Sequence, residues 1–414
     1  MVRIRQARTL ALVLALGVAA QASGQAAYVP GPGDDWQRKR PDEVALDAAL
    51  LQQAIDFAVA SETKAPRDLE ENHYLTFARE PFGDGIGPFK ARGPMSGIVL
   101  RGGYLVAEWG DTKRVDMTFS VTKSFVSTAI GLAWADGLIP SLQAPVVDLM
   151  APMELPAGDG EPGVDRTGFG KPDPTRLFES PHNRTITWDH LLRQTSDWEG
   201  TLWGKPDWAD RPGDDVGKNR GRPRNAPGSV YKYNDVRVNL LALAGLNVLR
   251  RPLPQVIKER VMDPIGASRT WRWNGYDNSW INVDGQWVQS VSGGGHWGGG
   301  LLISARDQAR FGLFTLRKGD WGGKRLLPAQ WFEWATTPTP AQRGYGFMNY
   351  FLNVADEQGK KRFPTAPDTA YVHLGNGTNM IYVDPVNDLV VVARWIEASK
   401  MPEFVAKLMA AVRR

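Results

Sequence analysis

No cysteine occurs among the 414 residues. That excludes disulfides, thiolate zinc sites, iron–sulfur clusters and a cysteine nucleophile together. Histidine is scarce: His73, His182, His190, His296 and His373 are the full set. None stands at a metal-ligating spacing, so no metal is expected. The chain also has no Gly-x-x-x-x-Gly-Lys-Ser/Thr loop, no His-Glu-x-x-His pair and no Gly-x-Ser-x-Gly elbow, which removes support from kinase-like, zinc-peptidase and α/β-hydrolase chemistry. There is no excess of one charge. Setting aside Arg3, Arg5 and Arg8, the 49 basic residues come within one of the 45 acidic ones. They are scattered rather than gathered into the basic stripe that nucleic acid requires, so no nucleic-acid partner is expected.

What is present is ordinary for a globular chain, with 42% hydrophobic and 23% charged residues, and the length suits two or three compact units. The first residues run basic (2–8), apolar (10–20) and small (20–22), the pattern of a secretory signal. The apolar run is too short to cross a bilayer, and later apolar stretches are interrupted by Pro, Gly or charge. Cleavage after Ala22 or Ala26 is expected, leaving a periplasmic or secreted protein without an integral membrane segment. Residues 27–42, with Pro30-Gly31-Pro32-Gly33-Asp34-Asp35, read as an exposed linker.

Apolar spacing predicts an amphipathic helix over 44–60 and a hairpin from 97–100 and 104–109. It predicts a helix over 125–135 that is apolar or small on every face, hence buried all round, with Gly137 as its stop. A helix is expected at 236–249, a strand at 301–303 and a helix start at Ser304. A second hairpin at 380–383 and 389–395 and a closing helix at 402–412 follow. Residues 151–227 read as long surface loops around short helices. The fold class is α+β, with an antiparallel sheet domain from 43–118 and 292–414 flanked by helices and an inserted, mostly helical region at 119–291. Tryptophan is abundant (16 in all). Trp188, Trp198, Trp203, Trp208, Trp271, Trp273, Trp280, Trp287 and Trp297 either line a cleft or pack the loop-rich region. The glycines around His296 suit a tight bend entering a strand better than a phosphate cradle.

The chemistry centres on Ser120-Val121-Thr122-Lys123 at the mouth of the buried helix. Three-residue spacing puts hydroxyl and amine on one helical face. A lysine in the first turn of a buried helix is partly desolvated, which disfavours its ammonium and makes the amine a base for the serine. The same tetrapeptide pattern recurs at Ser61/Lys64 and Ser229/Lys232, but without a buried helix behind it.

The segment Phe119-Ser120-Val121-Thr122-Lys123-Ser124-Phe125 resembles the nucleophile segment of the serine β-lactamase and penicillin-binding-protein superfamily, especially its class C and esterase branch, which includes 6-aminohexanoate-dimer hydrolases. Pro227-Gly228-Ser229-Val230-Tyr231-Lys232-Tyr233-Asn234-Asp235, followed by Leu240-Leu241, is similar to the second motif of that superfamily. His373-Leu374-Gly375 resembles the third, Lys/His-Thr-Gly, and residues 187–196 and 298–312 are secondary echoes. The motifs stand in family order between about 97 and 395.

The resemblance implies a β-lactamase-like fold and an acyl-enzyme at Ser120, with Lys123 and Tyr233 sharing proton transfer and no cofactor. A shifted register would put Tyr231 in place of Tyr233. The backbone N–H groups of Ser120 and Asn376 would form the oxyanion hole. Asp235, His373, Gly375 and Asn376 would lie on the substrate side, His373 facing Tyr233 or an anionic part of the substrate. Asp235 would equally serve as a helix cap, and His373 as a strand histidine with satisfied partners.

Two departures matter. Asp235 replaces an asparagine and brings a carboxylate able to pair with Lys123; Leu374 replaces a threonine that helps hold a penicillin carboxylate. Both argue for an esterase or amidase acting on a small-molecule or short peptide-like substrate. The alternatives are a β-lactamase, a D-alanyl-D-alanine carboxypeptidase, or a non-catalytic ligand- or peptidoglycan-binding protein of the same fold. Oligomeric state is left open.

Overall fold

Near-continuous apolar runs rich in Val, Ile and Leu at 96–101, 379–384 and 389–394 build the central feature, an antiparallel sheet covered on both faces. The computed structural model describes residues 27–151, 177–213, 216–352, 354–355, 359–361 and 363–413. The expected signal and residues 152–176 of the loop-rich stretch lie outside the described residues. The strands used below are β1 (Ser96–Arg101), β2 (Tyr104–Trp109), β3 (Asp116–Met117), β4 (Arg272–Val283), β5 (Gln286–Val291), β6 (Gly300–Ile303), β7 (Tyr350–Phe351), β8 (Tyr371–Gly375), β9 (Asn379–Asp384) and β10 (Leu389–Arg394). The helices are α1 (Ala48–Ala60), α2 (Leu69–Thr76), α3 (Thr122–Ala135), α4 (Asp235–Leu249), α5 (Ala305–Leu316) and α6 (Met401–Ala411).

The large sheet runs β7-β8-β9-β10-β1-β2, each neighbour antiparallel. On one face Ile98, Ile381, Val383, Val390 and Val392 join the main core, where α5 packs on β1, β9 and β10. On the other, Val99, Tyr382 and Val391 meet α1 and α6. Chain start and chain end therefore close the same face. A second antiparallel sheet, β3-β6-β4-β5, lies beside α3 and α4.

Helix α3 is buried from Thr122 to Ala133. Small residues permit this: a side chain at Gly131 would collide with the Trp331 ring. The helix stops where expected, with Gly137 left-handed at φ 74°. Ser304 caps α5 by accepting from the Asp307 N–H at 3.0 Å.

Three readings of the sequence differ from what is observed. Residues 28–36, expected as an exposed linker, are docked: Gly33 N–H donates to Gly266 O at 2.8 Å, and Trp36 is 8% exposed. Residues 272–291, assigned to the helical region, form the long hairpin β4–β5. Asn, Asp and Gly at 274, 275, 277 and 278 hide the strand pattern, and the register breaks between Gly275 and Trp280. The described part of the loop-rich stretch is not superficial either, since Trp188, Trp198 and Trp203 are buried in the main core. Among the described residues no helix is long and apolar enough to cross a membrane.

Candidate active site

Strand β3 delivers the chain to Phe119, which turns left-handed at φ 48° before a single 3-10 turn, Phe119–Val121, runs into α3. That conformation costs a bulky residue about 1–2 kcal/mol. It is held by burial of the ring edge-on to Trp395, centroids 6.4 Å apart. The turn brings Ser120 to the surface between buried neighbours. One helical turn on, the Lys123 amine donates to Ser120 Oγ at 2.9 Å and to Asp235 Oδ1 at 2.5 Å. Burial disfavours the Lys123 ammonium, Asp235 favours it and Arg211 opposes it; the net effect holds the amine below the usual lysine range. A lysine 1% exposed beside a serine hydroxyl is a base in position.

Tyr233 lies at the end of the segment leading into α4. Burial pushes its ionisation well above the ordinary tyrosine range, and Ser120, on whose side of the site the phenol lies, opposes that upward shift. The Lys123 amine sits 4.7 Å from the centre of its ring. Tyr231 instead packs on Tyr345, ring centroids 5.0 Å apart. Of the two tyrosines, Tyr233 is the one beside the Lys123 amine.

Asp235 does not cap α4; Asn234 does, its Oδ1 accepting from Arg237 N–H at 3.1 Å. Asp235 lies buried behind Lys123. It is 1% exposed, with one oxygen on Lys123 and the other accepting from Arg211 Nη1 at 2.7 Å. Burial opposes its ionisation, but Lys123 and Arg211 outweigh that and keep it a carboxylate. The anticipated pairing with Lys123 therefore forms, and both carboxylate oxygens are engaged by cations. Gly294 explains part of the glycine run, because a β-carbon there would overlap both Asp235 Oδ1 and the Lys123 amine.

Gly375 does flank the nucleophile. Its α-carbon faces Thr118 O and Ser120 N so closely that a side chain would not fit. Asn376 follows immediately, at the turn between β8 and β9, and its carbonyl accepts from Asn379 Nδ2 at 2.7 Å. The Ser120 N–H belongs to the first turn of a helix, where N–H groups lack intrahelical partners. Serine N–H and the β8–β9 turn thus lie side by side, as an oxyanion hole requires. His373 departs from expectation. It is 4% exposed, its Nδ1 lies 2.7 Å from Ser124 Oγ, and burial alone lowers its pKa to about 3. Alternation along β8 aims it at α3 one turn beyond Ser120, away from Tyr233. It is a buried strand histidine.

Residues not singled out in the sequence complete the site. Arg211, left-handed at φ 48°, donates to Asp210 Oδ1 at 2.5 Å and, through Nη2, to His296 Nδ1 at 3.1 Å. Asp210 also accepts the Asp235 N–H, and His296 Nε2 lies 2.9 Å from Glu80 Oε2. Glu80, Asp210 and His296 carry donor atoms within 4.8 Å of one another, the spacing of a cation site. The Arg211 guanidinium already bonds two of the three, so arginine supplies the positive charge there. These four come from three segments far apart in sequence, and only the Gly-rich context of His296 gave a signal.

A sequence model of the family described as Beta-lactamase matches residues 97–404, about three quarters of the chain. No curated protein is close enough in sequence to stand as a relative. Among solved structures, the chain is similar to a family VIII carboxylesterase (16% identity, 89% of this chain and 98% of that one, TM-score 0.51). It is also similar to SurE, solved with D-Leu (16% identity, 90% and 75%, TM-score 0.52). A beta-lactamase from Mycobacterium bovis matches at 20% identity over 77% of this chain and 93% of that one, with a TM-score of 0.49. At these identities the first two likenesses speak for the fold alone, which with the family match is α+β and β-lactamase-like.

Proposed function

The chain belongs to the beta-lactamase family of enzymes, and from that premise we propose that it is an exported serine hydrolase that cleaves ester or amide bonds of a small substrate through an acyl-enzyme at Ser120. The observation that carries this reading is the buried Lys123 amine set 2.9 Å from the Ser120 hydroxyl, with the Tyr233 ring packed 4.7 Å from the same amine. The neutral amine takes the hydroxyl proton as Oγ bonds to the carbonyl carbon, and the carbonyl electrons move onto oxygen. The N–H groups of Ser120 and Asn376 receive that charge. Collapse expels the alcohol or amine, which takes its proton from Tyr233, re-protonated in turn from Lys123. A water molecule then repeats the sequence on the acyl-enzyme, losing its proton to the same pair and freeing the acid and Ser120.

Asp235 and Leu374 favour ester and amide substrates over penicillins. The amide donor of the second motif is gone, and so is the hydroxyl of the third. The basic, apolar and small runs of residues 2–22 support export.

Intact mass measurement with and without a fluorophosphonate tests the reading. Wild type should gain one adduct and Ser120→Ala none, with ester hydrolysis in the variant down by about three orders of magnitude or more. A folded wild type that takes no adduct would overturn the hydrolase reading in favour of a binding protein.

A further inference from the structure

The polar groups around Ser120 form one unbroken line. Ser120 Oγ meets Lys123 at 2.9 Å, Lys123 meets Asp235 at 2.5 Å, and Asp235 meets Arg211 at 2.7 Å. Arg211 meets His296 at 3.1 Å and His296 meets Glu80 at 2.9 Å. Hydrogen direction is fixed at its far end. Arginine can only donate, so His296 Nδ1 accepts and the ring's single hydrogen sits on Nε2, pointing to Glu80. The guanidinium is also sandwiched between the rings of Tyr233, 4.9 Å away, and Phe77, 5.8 Å away, and Phe77 packs on His296 at 4.3 Å. Glu80 and Phe77 precede residue 97, where the family match begins. The stretch that carries them is tied down by Lys205, whose amine donates to Phe82 O at 2.5 Å and Asp84 O at 2.7 Å.

Resting on the hydrolase reading above, we propose that Arg211 is a positioning residue of this site, held from behind by Glu80 and His296, which sets how firmly Asp235 grips the Lys123 amine. A carboxylate shared between two cations binds each less strongly than it would bind one. Without Arg211, Asp235 would turn its whole charge on Lys123 and favour the ammonium, which cannot take the serine proton. The charged and titratable groups facing Lys123 and Arg211 are Asp210 of the preceding loop, Tyr231 and Tyr233 of the segment leading into α4, Asp235 at its start, His296 of the glycine loop, Glu80 of the N-terminal stretch and Tyr350 of β7. Arg211 is the cation among them besides Lys123, so its removal moves the balance in one direction.

The test is the pH profile of kcat/KM on a short p-nitrophenyl ester for wild type, Arg211→Gln, Arg211→Lys, His296→Gln and Glu80→Gln. Arg211→Gln should move the acid limb up by about one pH unit or more. Its rate should fall about tenfold per unit below the limb and recover toward the wild-type plateau at alkaline pH. Arg211→Lys, which keeps the charge, should return most of that shift. His296→Gln and Glu80→Gln should move the limb the same way by less, and not at all in the Arg211→Gln background. A loss of rate uniform with pH would make Arg211 merely structural and overturn the proposal. If Arg211→Gln fails to fold, an unmoved limb in both Arg211→Lys and His296→Gln overturns it. A wild type inert to both ester and fluorophosphonate would take the hydrolase reading down with it, whereas an active wild type with unmoved limbs overturns this proposal alone.

Discussion

At His373 the ring is shut between β8, α3 and α5, and its hydrogens can be counted. Ser124 Oγ donates its one hydrogen to Met348 O at 2.9 Å, so at 2.7 Å it must accept from His373 Nδ1–H. That places a hydrogen on Nδ1, and burial favours the neutral ring, bringing its pKa to about 3 from 6.5. Unfolding returns it to about 6.5, so between these values the unfolded chain binds the extra proton. Stability must then fall as pH drops from about 6.5 toward about 3, by up to about 1.4 kcal/mol per unit. His73 and His190, also lowered by burial, act with the same sign, while depressed carboxylates such as Asp235 lose their contribution only below about pH 4. His373→Gln keeps a donor for Ser124 and removes the titration. Urea unfolding at about pH 6.5 and pH 4.5 should show a smaller acid loss in the variant; an equal loss would place the ring in contact with solvent. The same residue shows what the motifs could not say. Ser120 and Lys123 are legible because their relation is local, three residues on one helical turn. His373 shares a motif position with residues that face a cleft, yet its orientation depends on how β8 packs on α3, which no spacing records. Arg211, His296 and Glu80 meet only in the folded chain, so no local pattern announces them.

Elements with a strong repeat were legible, and their packing explains why. In β9 and β10 both faces are covered, one by α5 and the other by α1 and α6, so the strands read as near-continuous apolar runs. Helix α3 is apolar all round because it is enclosed. The hairpin β4–β5 escaped notice since part of its length is edge and bulge, with exposed Trp280 and Trp287 where alternation would be sought. How closely α5 lies on the sheet can be tested at Gly312. A β-carbon there would stand 2.6 Å from Ile381 Cγ2 and 2.7 Å from Val390 Cγ1, two β-branched side chains with little freedom to turn aside. Alanine would gain about 1 kcal/mol of helix propensity over glycine, against overpacking that costs about 1–3 kcal/mol. Gly312→Ala should therefore lower the urea midpoint at unchanged slope, a net loss of about 1 kcal/mol. A raised midpoint would mean that propensity wins and that α5 rides further from the sheet.

At the scale of the whole molecule, the residues before 97 brace the family body rather than trail from it. Asp47 N–H donates to Ala411 O at 2.7 Å and Arg413 N–H to Ala45 O at 3.0 Å, pairing α1 with α6, and Glu80 enters the active site. The first described stretch is fastened by one side chain, Arg310 of α5. Its guanidinium donates to Ile265 O at 2.8 Å, Gly31 O at 2.6 Å and Gly33 O at 2.7 Å, under the ring of Trp36 at 4.5 Å. Burial lowers its pKa to about 10, so it stays cationic at neutral pH and its hydrogen bonds are charge-assisted. Composition alone suggested a linker because Pro and Gly dominate residues 30–33. Those residues instead present carbonyls, in a run without bulky side chains, to a buried cation. Arg310→Met keeps the apolar stem and removes every donor, at a cost of about 1.5–3 kcal/mol for hydrogen bonds to a charged group. Limited proteolysis should then cut within 27–40 well before the rest of the chain, with Tm lowered by a few degrees, while fluorophosphonate still labels Ser120. Cleavage of wild type at that segment just as early would show that the clasp does not hold the stretch down.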